Sequence, residues 1–435
     1  MVEVHRGHTA RLALSPEQAW KLDAQAHAAR ALWNLLHDWW TMVGENRYVF
    51  PKDADAVIRQ ARKDLDWLAL LPAQAAQAVL KTYVQAWRNC WEGRADAPIF
   101  KARFRSPMTV DIPQGQHLNT VRVHRRWGMV NVPKVGRIRF RWTKGLPVGK
   151  HADADNRITG ARLVKDALGW HIAFRVRALG EDPQPHPGGE VGIDVGVTVP
   201  LALSDGNHHD HGRPPRTEDG EADRDKWLTN EEKSELRRLE HCAAHRKSLR
   251  KRGEKTSRRL SGTYDRIRAL RARAKRRHLD WQHKTTIAIA TLYGTVVVED
   301  LNIANMTRSA RGTVERPGNN VRAKTGLNRS ISQEAWGRTV TLLTYKLAQR
   351  GGALYKVPAR HTSQRCSMCG VTTPRNRESQ AVFVCKNAMC GWEGNADHNA
   401  ARNVLHLHRM GLAPVPAAGR AVDRRARRVK PATAR

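Results

Sequence analysis

Four cysteines near the C-terminus come as two close pairs, and this feature constrains the fold more than any other part of the sequence. The pairs are Cys366 with Cys369 and Cys385 with Cys390. Thiolates at this spacing can close a tetrahedron around Zn²⁺. Because residues 1–11 lack the apolar stretch of a signal peptide, we expect a metal rather than disulfides. The sequence thus predicts a structural zinc site, with buried or disulfide-bonded cysteines as the alternative.

Three acidic residues stand at the ends of predicted elements that are far apart along the chain. Asp194 lies in a glycine-flanked apolar strand, Glu299 ends a second apolar strand, and Asp397 opens a helical pattern. A charge inside an apolar strand costs free energy unless it is paired or binds a cation. Two strands and a helix can bring three carboxylates to one sheet edge, where they can hold two Mg²⁺ ions and support phosphodiester hydrolysis. The alternatives are a strand-end turn for Asp194 and a helix cap for Asp397.

The net charge points to a polyanionic partner. The formal charge of the 435-residue chain is +35 at pH 7. So large an excess of one sign opposes folding without a polyanion, and nucleic acid is the expected partner, with a membrane surface as the alternative. No apolar run is long enough to span a bilayer, and the cysteine usage suits a reducing cytosol. We therefore expect a cytoplasmic, nucleic-acid-binding protein.

The first half of the chain predicts a strand, then helices, then a sheet. A basic strand at residues 2–14 is followed by a helix start, where Ser15 caps and Gln18 closes a capping box. A second helix is expected at about residues 72–91, and its tryptophans either pack in a core or stack on bases. Residues 121–178 form strands with basic side chains at alternate positions, which indicates a cationic face that either is solvated or contacts phosphates.

The second half is richer in basic helices. Residues 231–290 predict a long helix broken near Gly253 and Gly262, and its one-sign charge favours nucleic-acid contact over a solvated face. Residues 305–330 predict a basic loop. The histidine-rich run 207–211 lies in a polar insert, so the sequence alone does not assign a metal to it.

Several of these segments resemble a known family. They are similar to the RuvC and zinc-ribbon motifs of TnpB-type transposon-encoded nucleases and of miniature type V CRISPR effectors. The resemblance extends over roughly residues 4–405, is densest in the last half, and departs from the family in its wider second cysteine pair. The segments that carry it are Pro98–Lys101, Gly192–Gly196, Arg276–Lys284, Val298–Leu301, Leu327–Ser332, Thr362–Gly370 and Asn395–Asn403.

The resemblance implies an α/β plus α+β architecture: an RNase H-like (RuvC) nuclease domain with a zinc-ribbon insertion, preceded by a β-rich wedge domain that carries an inserted helical recognition domain. The implied boundaries are 1–14 and 98–182 for the wedge, 15–97 for the recognition domain, 183–361 and 395–412 for the nuclease, 362–394 for the ribbon, and 413–435 for a basic disordered tail.

The resemblance also implies a bound guide RNA and cleavage of matching double-stranded DNA next to a short flanking motif. By position, Asp194, Glu299 and Asp397 take the catalytic, Mg²⁺-binding roles, and the four cysteines take the zinc-binding roles. We therefore expect an RNA-guided, Mg²⁺-dependent DNA endonuclease. The alternatives are a guided DNA-binding protein that represses without cutting and an unguided RuvC-type structure-specific nuclease.

Overall fold

A computed structural model describes residues 2–43, 50–103, 106–149, 152–212, 225–251, 253–313, 315–411 and 415–416. The described residues divide after Glu181 into two compact units. The predicted tail lies outside the described residues apart from Val415–Pro416, which forms a short strand. No helix in the described part of the chain is both long enough and apolar enough to cross a membrane.

The first unit is a seven-stranded antiparallel sheet covered by helices. The strand order is β2-β6-β7-β1-β5-β4-β3. The strands are β1 Val2–Ala13, β2 Met108–Ile112, β3 Val121–His124, β4 Trp127–Val132, β5 Gly136–Arg141, β6 Asn156–Asp166 and β7 Gly169–Gly180. The helices are α1 Pro16–Val43, α2 Phe50–Asp64, α3 Asp66–Ala69 and α4 Ala73–Trp91, and a 3₁₀ turn spans Gly115–Leu118.

Local signals in the sequence explain how this unit forms. The predicted capping box is confirmed: the Ser15 amide donates to Gln18 Oε1 at 3.1 Å, and the Gln18 amide donates to Ser15 Oγ at 3.2 Å. The predicted alternation of basic and apolar side chains is confirmed in β5, where the arginines are exposed and Ile138 and Phe140 are buried. Trp40 is buried and stacks on Trp87 with ring centroids 5.1 Å apart, which supports core packing for these tryptophans.

The second unit is built on a six-stranded mixed sheet of order β10-β9-β8-β11-β12-β15. Its strands are β8 Glu190–Asp194, β9 Leu201–Leu203, β10 His208–His209, β11 Thr295–Glu299, β12 Ala353–Val357 and β15 Val415–Pro416. A separate hairpin pairs β13 Val382–Val384 with β14 Glu393–Asn395. The helices are α5 Asn230–Ser248, α6 Arg258–Leu292, α7 Ile303–Met306, α8 Val321–Glu334, α9 Trp336–Ala348 and α10 Ala396–Arg409, and a 3₁₀ turn spans Pro374–Asn376.

The three central strands of the second sheet are parallel. β8 and β12 flank β11 on either side, and β9 returns antiparallel to β8. The strands are buried and apolar, as expected for parallel strands covered on both faces. α9 and α10 both pack against this sheet. The carboxyl ends of β8 and β11 therefore open at one edge, which is where the acidic residues lie.

Two details of the sequence-based prediction are wrong. The break expected near Gly262 is absent, because α6 runs through it. A glycine in a helix interior costs only about 1 kcal/mol, and the packing of Leu260 and Ile267 with residues of α5 outweighs this cost. The basic loop expected to reach residue 330 ends at Asn320, where α8 starts. Lys324 Nζ donates to the Met306 carbonyl at 2.7 Å and ties that helix to the preceding segment.

At Gly192 of β8, the backbone of α10 lies close against the sheet. A Cβ at this position would lie 2.2 Å from the Ala401 carbonyl oxygen and 2.8 Å from the Leu405 amide nitrogen. Both atoms belong to helix backbone, so they cannot swing aside as a side chain would. The absence of a side chain at residue 192 thus allows α10 to lie directly on the strand that carries Asp194.

We predict that Gly192→Ala separates α10 from β8 and destabilises the second unit by about 1–3 kcal/mol, the usual cost of overpacking. The measurement is the thermal unfolding midpoint, followed by circular dichroism. Gly189→Ala is the matched control, because a Cβ there meets nothing within 4 Å. Equal midpoints for the two variants would contradict the close-packing argument.

Candidate acidic active site and cysteine cluster

The two strand-borne carboxylates leave the same edge of the second sheet. Asp194 is the last residue of β8 and Glu299 the last of β11. These strands are parallel, with Ile193 opposite Val298, so the residue that follows each of them lies at the same level of the sheet. The next residue, Asp300, is exposed, and Lys356 Nζ donates to its Oδ1 at 3.1 Å. Glu299 and the neighbouring Asp300 thus have different partners.

Asp397 reaches the same edge from the first turn of α10. The helix is capped by Asn395, whose Oδ1 accepts from the amides of Asp397 at 2.9 Å and His398 at 3.1 Å. Because Asn395 makes the capping bonds, the Asp397 carboxylate is not needed for that purpose. The cap alternative for Asp397 is therefore wrong. The carboxylate is available for the acidic cluster.

The electrostatics show that the three carboxylates interact. Burial, followed by the charges of Glu299 and Asp397, raises the pKa of Asp194 to about 8, although Arg377 opposes the rise. Burial also raises the pKa of Glu299, against the Thr362 hydroxyl and Arg377, which lower it. When no divalent cation is bound, ionising all three carboxylates at this edge is therefore unfavourable. The ligand oxygens of the three residues do not all lie within 4.8 Å of one another.

Two further residues complete the cluster, and sequence reasoning missed both. Arg377 Nη2 donates to Asp397 Oδ1 at 2.9 Å and also to the Gln380 carbonyl at 2.8 Å. The Thr362 hydroxyl donates to Glu299 Oε1. Arg377 lies between the two cysteine pairs, in a run that the sequence marks only as polar. No spacing rule relates it to the acidic residues, so only the fold could have revealed it.

The four cysteines lie together, as their spacing predicts. All four are free thiols, and their sulfur atoms lie within 4.8 Å of one another. The Cys366–Cys390 and Cys369–Cys385 sulfur pairs are 3.9 and 3.5 Å apart. Ligands of a tetrahedral zinc with bonds of 2.3 Å are about 3.8 Å apart. The disulfide alternative is therefore wrong, and the cluster has the dimensions of a metal site.

The backbone around the cysteines is arranged in two turns. In the first, the Cys366 amide donates to the Val371 carbonyl at 3.0 Å, and Gly370 takes a positive φ of 78°. The hydrogen bond that Cys369 accepts from the Val371 amide lowers the pKa of this thiol to about 6, which favours the thiolate that a metal requires. In the wider second turn, both Cys390 and Gly391 donate to the Asn387 carbonyl.

Buried asparagines join the cysteine cluster to α10. Asn399 Nδ2 donates to the Arg365 carbonyl at 2.8 Å, and its Oδ1 accepts from the Ser367 amide at 2.9 Å. Asn403 Nδ2 donates to the carbonyls of Thr362 and Arg365 at 2.9 and 2.6 Å. Both asparagines are almost fully buried. The first cysteine turn, the Glu299 partner Thr362 and the Asp397 helix are thus held in one hydrogen-bonded unit.

Comparison with known proteins identifies the family. A family model described as a probable transposase matches residues 173–310, and one described as Cas12f1-like, TNB domain, matches residues 336–404. A protein of Escherichia coli (strain K12) named "Putative RNA-guided DNA endonuclease InsQ" is 32% identical over 346 residues, which cover 79% of this chain and 76% of the relative. The chain belongs to the TnpB-type family of RNA-guided nucleases.

Other TnpB-type and related proteins are also similar. A Streptomyces pristinaespiralis protein with the description "Putative RNA-guided DNA endonuclease" is 25% identical over 418 residues, covering 93% of this chain and 90% of that protein. The Cas12f1 chain of a cryo-EM complex with single-guide RNA and target DNA has a TM-score of 0.49 at 16% identity, covering 89% of this chain and 82% of that one.

We predict that the acidic edge makes stability fall with rising pH when divalent cations are absent. A carboxyl with a raised folded pKa holds a proton that the unfolded chain releases near pH 4, so stability is lost as pH rises towards about 8. In Mg²⁺-free buffer, the unfolding midpoint of Asp194→Asn relative to that of the wild type should therefore rise between about pH 5 and 8 and level off above pH 8. Asp300→Asn is the control and should show no such divergence. Parallel curves for Asp194→Asn and the wild type would contradict the prediction.

Proposed function

We propose that the chain is an RNA-guided DNA endonuclease that hydrolyses DNA matched by a bound guide RNA next to a short flanking motif. Family membership supports the guided reaction. The observation that carries the residue assignment is the convergence of Asp194, Glu299 and Asp397 at one sheet edge, with coupled charges. Action on DNA in the bacterial cytoplasm is part of the same proposal.

The acidic edge fits magnesium. Its donors are carboxylate oxygens, which Mg²⁺ prefers. Burial, followed by the charges of Glu299 and Asp397, raises the pKa of Asp194, and a divalent ion would neutralise this negative charge. Two Mg²⁺ ions held there would supply an activated water and stabilise the leaving oxygen of an in-line displacement. The chain's own residues orient the ligands: Thr362 fixes the Glu299 carboxylate, and Asn395 fixes the helix turn that presents Asp397.

Arg377 has a separate role in this proposal. Its guanidinium is about a quarter exposed and lies against Asp397. A fixed cation at the rim of an acidic site can pair with a phosphate oxygen of the DNA and stabilise the charge that develops in the reaction. The same cation offsets the repulsion among the carboxylates when the site holds no substrate.

We propose that the cysteine cluster binds a structural Zn²⁺ within a zinc ribbon at residues 362–394. The sulfur separations and the absence of disulfides support this assignment. Closing the four thiolates around one ion would fix the loop that carries Arg377 and, through Asn399, the start of α10. The zinc ion would thus help to position two of the side chains at the acidic site, and it would take no part in the chemistry itself.

The remaining domains of the proposal follow the sequence-based boundaries. Residues 183–361 and 395–412 form the RuvC-like nuclease domain with an RNase H-like fold, supported by the parallel β8, β11 and β12 flanked by the β8-β9-β10 meander. Residues 1–14 and 98–182 form the wedge, and residues 15–97 form the helical recognition domain.

Basic surfaces of the first unit support binding of the guide and the DNA. Arg139 and Arg141 of β5 flank the Trp127 ring at 4.7 and 5.3 Å from its centroid, and together they line an open cavity of about 710 Å³. An aromatic ring beside two arginines at an open cavity suits a stacked base and its phosphates. Strand pairing between guide and target would supply the sequence specificity.

We predict that Asp194→Ala loses Mg²⁺-dependent cleavage of a matched plasmid but keeps guide-dependent DNA binding, because the substitution removes a metal ligand and leaves the basic surfaces intact. The measurements are plasmid cleavage and a mobility shift with the copurified RNA. Asp300→Ala is the control and should cut like the wild type.

The same assays separate the alternatives. Cutting by Asp194→Ala would defeat the residue assignment. A wild type that binds but never cuts in Mg²⁺ would favour a guided repressor. Cutting that does not depend on the copurified RNA would favour an unguided nuclease.

We predict that Arg377→Ala slows cleavage roughly 10- to 1,000-fold, the range found when one charge-stabilising donor is removed, and leaves guide-dependent DNA binding unchanged. Single-turnover rates at saturating Mg²⁺ measure the effect. Arg375→Ala is the matched control, since it removes the same charge from the same loop away from Asp397. A rate for Arg377→Ala equal to that of Arg375→Ala would sink the assigned role.

A further inference from the structure

Two histidines and a glutamate from three distant segments meet inside the second unit, away from the acidic edge. His211 follows β10, His278 lies in the middle of α6, and Glu334 is the last residue of α8. The exposed fraction is 3% for the His211 side chain, 5% for His278 and 4% for Glu334. None of these residues takes part in the proposed nuclease chemistry.

The ligand atoms of the three side chains have the spacing of a metal site. One nitrogen of each ring and one carboxylate oxygen all lie within 4.8 Å of one another. His211 Nε2 is 3.2 Å from Glu334 Oε2. Nitrogen and oxygen ligands at about 2.0 Å from a tetrahedral ion are about 3.3 Å apart. The measured separation is thus that of two neighbouring ligands of one ion.

A second observation points to a missing ligand. His278 Nε2 is buried and has no hydrogen-bond partner among the described residues, and His211 Nε2 makes no well-directed hydrogen bond despite its position beside Glu334. Burying such polar atoms without a partner costs about 1–3 kcal/mol each. A metal ion would satisfy both.

We propose that His211, His278 and Glu334 form a binding site for a divalent transition metal, with Zn²⁺ as the ion that best fits two imidazoles and one carboxylate. Three protein ligands leave a fourth position for water. The proposal does not depend on the nuclease function or on the cysteine cluster.

The surroundings fit such a site. Lys226 Nζ binds the other oxygen of Glu334, Oε1, at 2.6 Å and leaves Oε2 directed at His211. Hydrogen bonds of this kind commonly orient metal-binding carboxylates. Trp281 packs edge-on against the His211 ring with centroids 4.4 Å apart, and its Nε1 donates to the Asp210 carbonyl at 2.8 Å. The ring therefore has a fixed position before any ion binds.

The site would hold the junction between α8 and α9. Glu334 precedes Ala335, which adopts a left-handed conformation with φ of 50°, and the next residue, Trp336, donates through Nε1 to the Gly196 carbonyl at 3.3 Å. Gly196 lies two residues beyond Asp194. A metal at Glu334 would thus fix a strained connection that supports the strand end with the acidic site.

The test is the metal content of the full-length protein with its copurified RNA, after addition of Zn²⁺ and dialysis. We expect two zinc equivalents per chain in the wild type and one in His278→Gln. His241→Gln removes an exposed histidine from α5 and is the matched control, with two equivalents expected. Loading with Co²⁺ separates the two sites, because only the cysteine cluster gives thiolate charge-transfer absorption. That absorption should be the same in all three proteins and reports that the variants are folded.

A second variant tests the site even if His278→Gln folds poorly. The ammonium group of Lys226 repels an incoming cation, and Lys226→Gln removes this charge but keeps a hydrogen-bond donor. The variant should therefore bind the metal ion at His211, His278 and Glu334 at least about tenfold more tightly than the wild type does. Either of two results would overturn the proposal: a wild type whose bound Co²⁺ is all thiolate-ligated, or unchanged binding in Lys226→Gln. The thiolate band distinguishes these results from a failure of the cysteine cluster.

Discussion

The packing of α10 against the second sheet is the constraint on which the functional site depends. The helix lies on β8 at Gly192, where its backbone leaves no room for a Cβ. On its other side, Asn399 and Asn403 bind the backbone of the first cysteine turn. A single helix thus sets the distance from Asp397 to the strand carboxylates and the orientation of the segment that holds Thr362. Because these contacts are made by backbone atoms and buried amides, small errors in the helix position would be transmitted directly to the acidic site.

Much of this arrangement is encoded in local sequence. The cysteine pairs predict a common metal site because few other structures place four thiols at such spacing, and the structure brings them together. Asp194 and Glu299 are recognisable because a carboxylate at the end of an apolar strand is costly without a partner. The start of the helix at Pro16 is predicted by its capping box, which the structure confirms. These features depend on residues close in sequence, so pattern and spacing suffice to find them.

Features that depend on distant segments could not be read from the sequence. Arg377 becomes part of the acidic site only because the loop between the cysteine pairs folds back towards α10. The residue that caps α10 is Asn395 and not Asp397, because the Asn395 side chain accepts the hydrogen bonds from the first amides of the helix. The helix α2 was missed although its core residues, such as Phe50 and Ile58, are buried in the first unit. The meeting of His211 with His278 and Glu334 joins a polar insert to two helices, and no periodicity links them.

The overall charge of the chain and the charge at its acidic edge have opposite signs. The chain as a whole carries +35, yet three carboxylates gather at one edge, where burial and then the charges of Glu299 and Asp397 raise the pKa of Asp194. The long-range field attracts a polyanion, while the local field at the acidic edge repels its phosphates. A phosphate can approach that edge only when cations lie between it and the carboxylates. Binding of nucleic acid along the basic surfaces and occupancy of the acidic edge by divalent ions should therefore be mutually favourable, since each supplies the charge that the other requires.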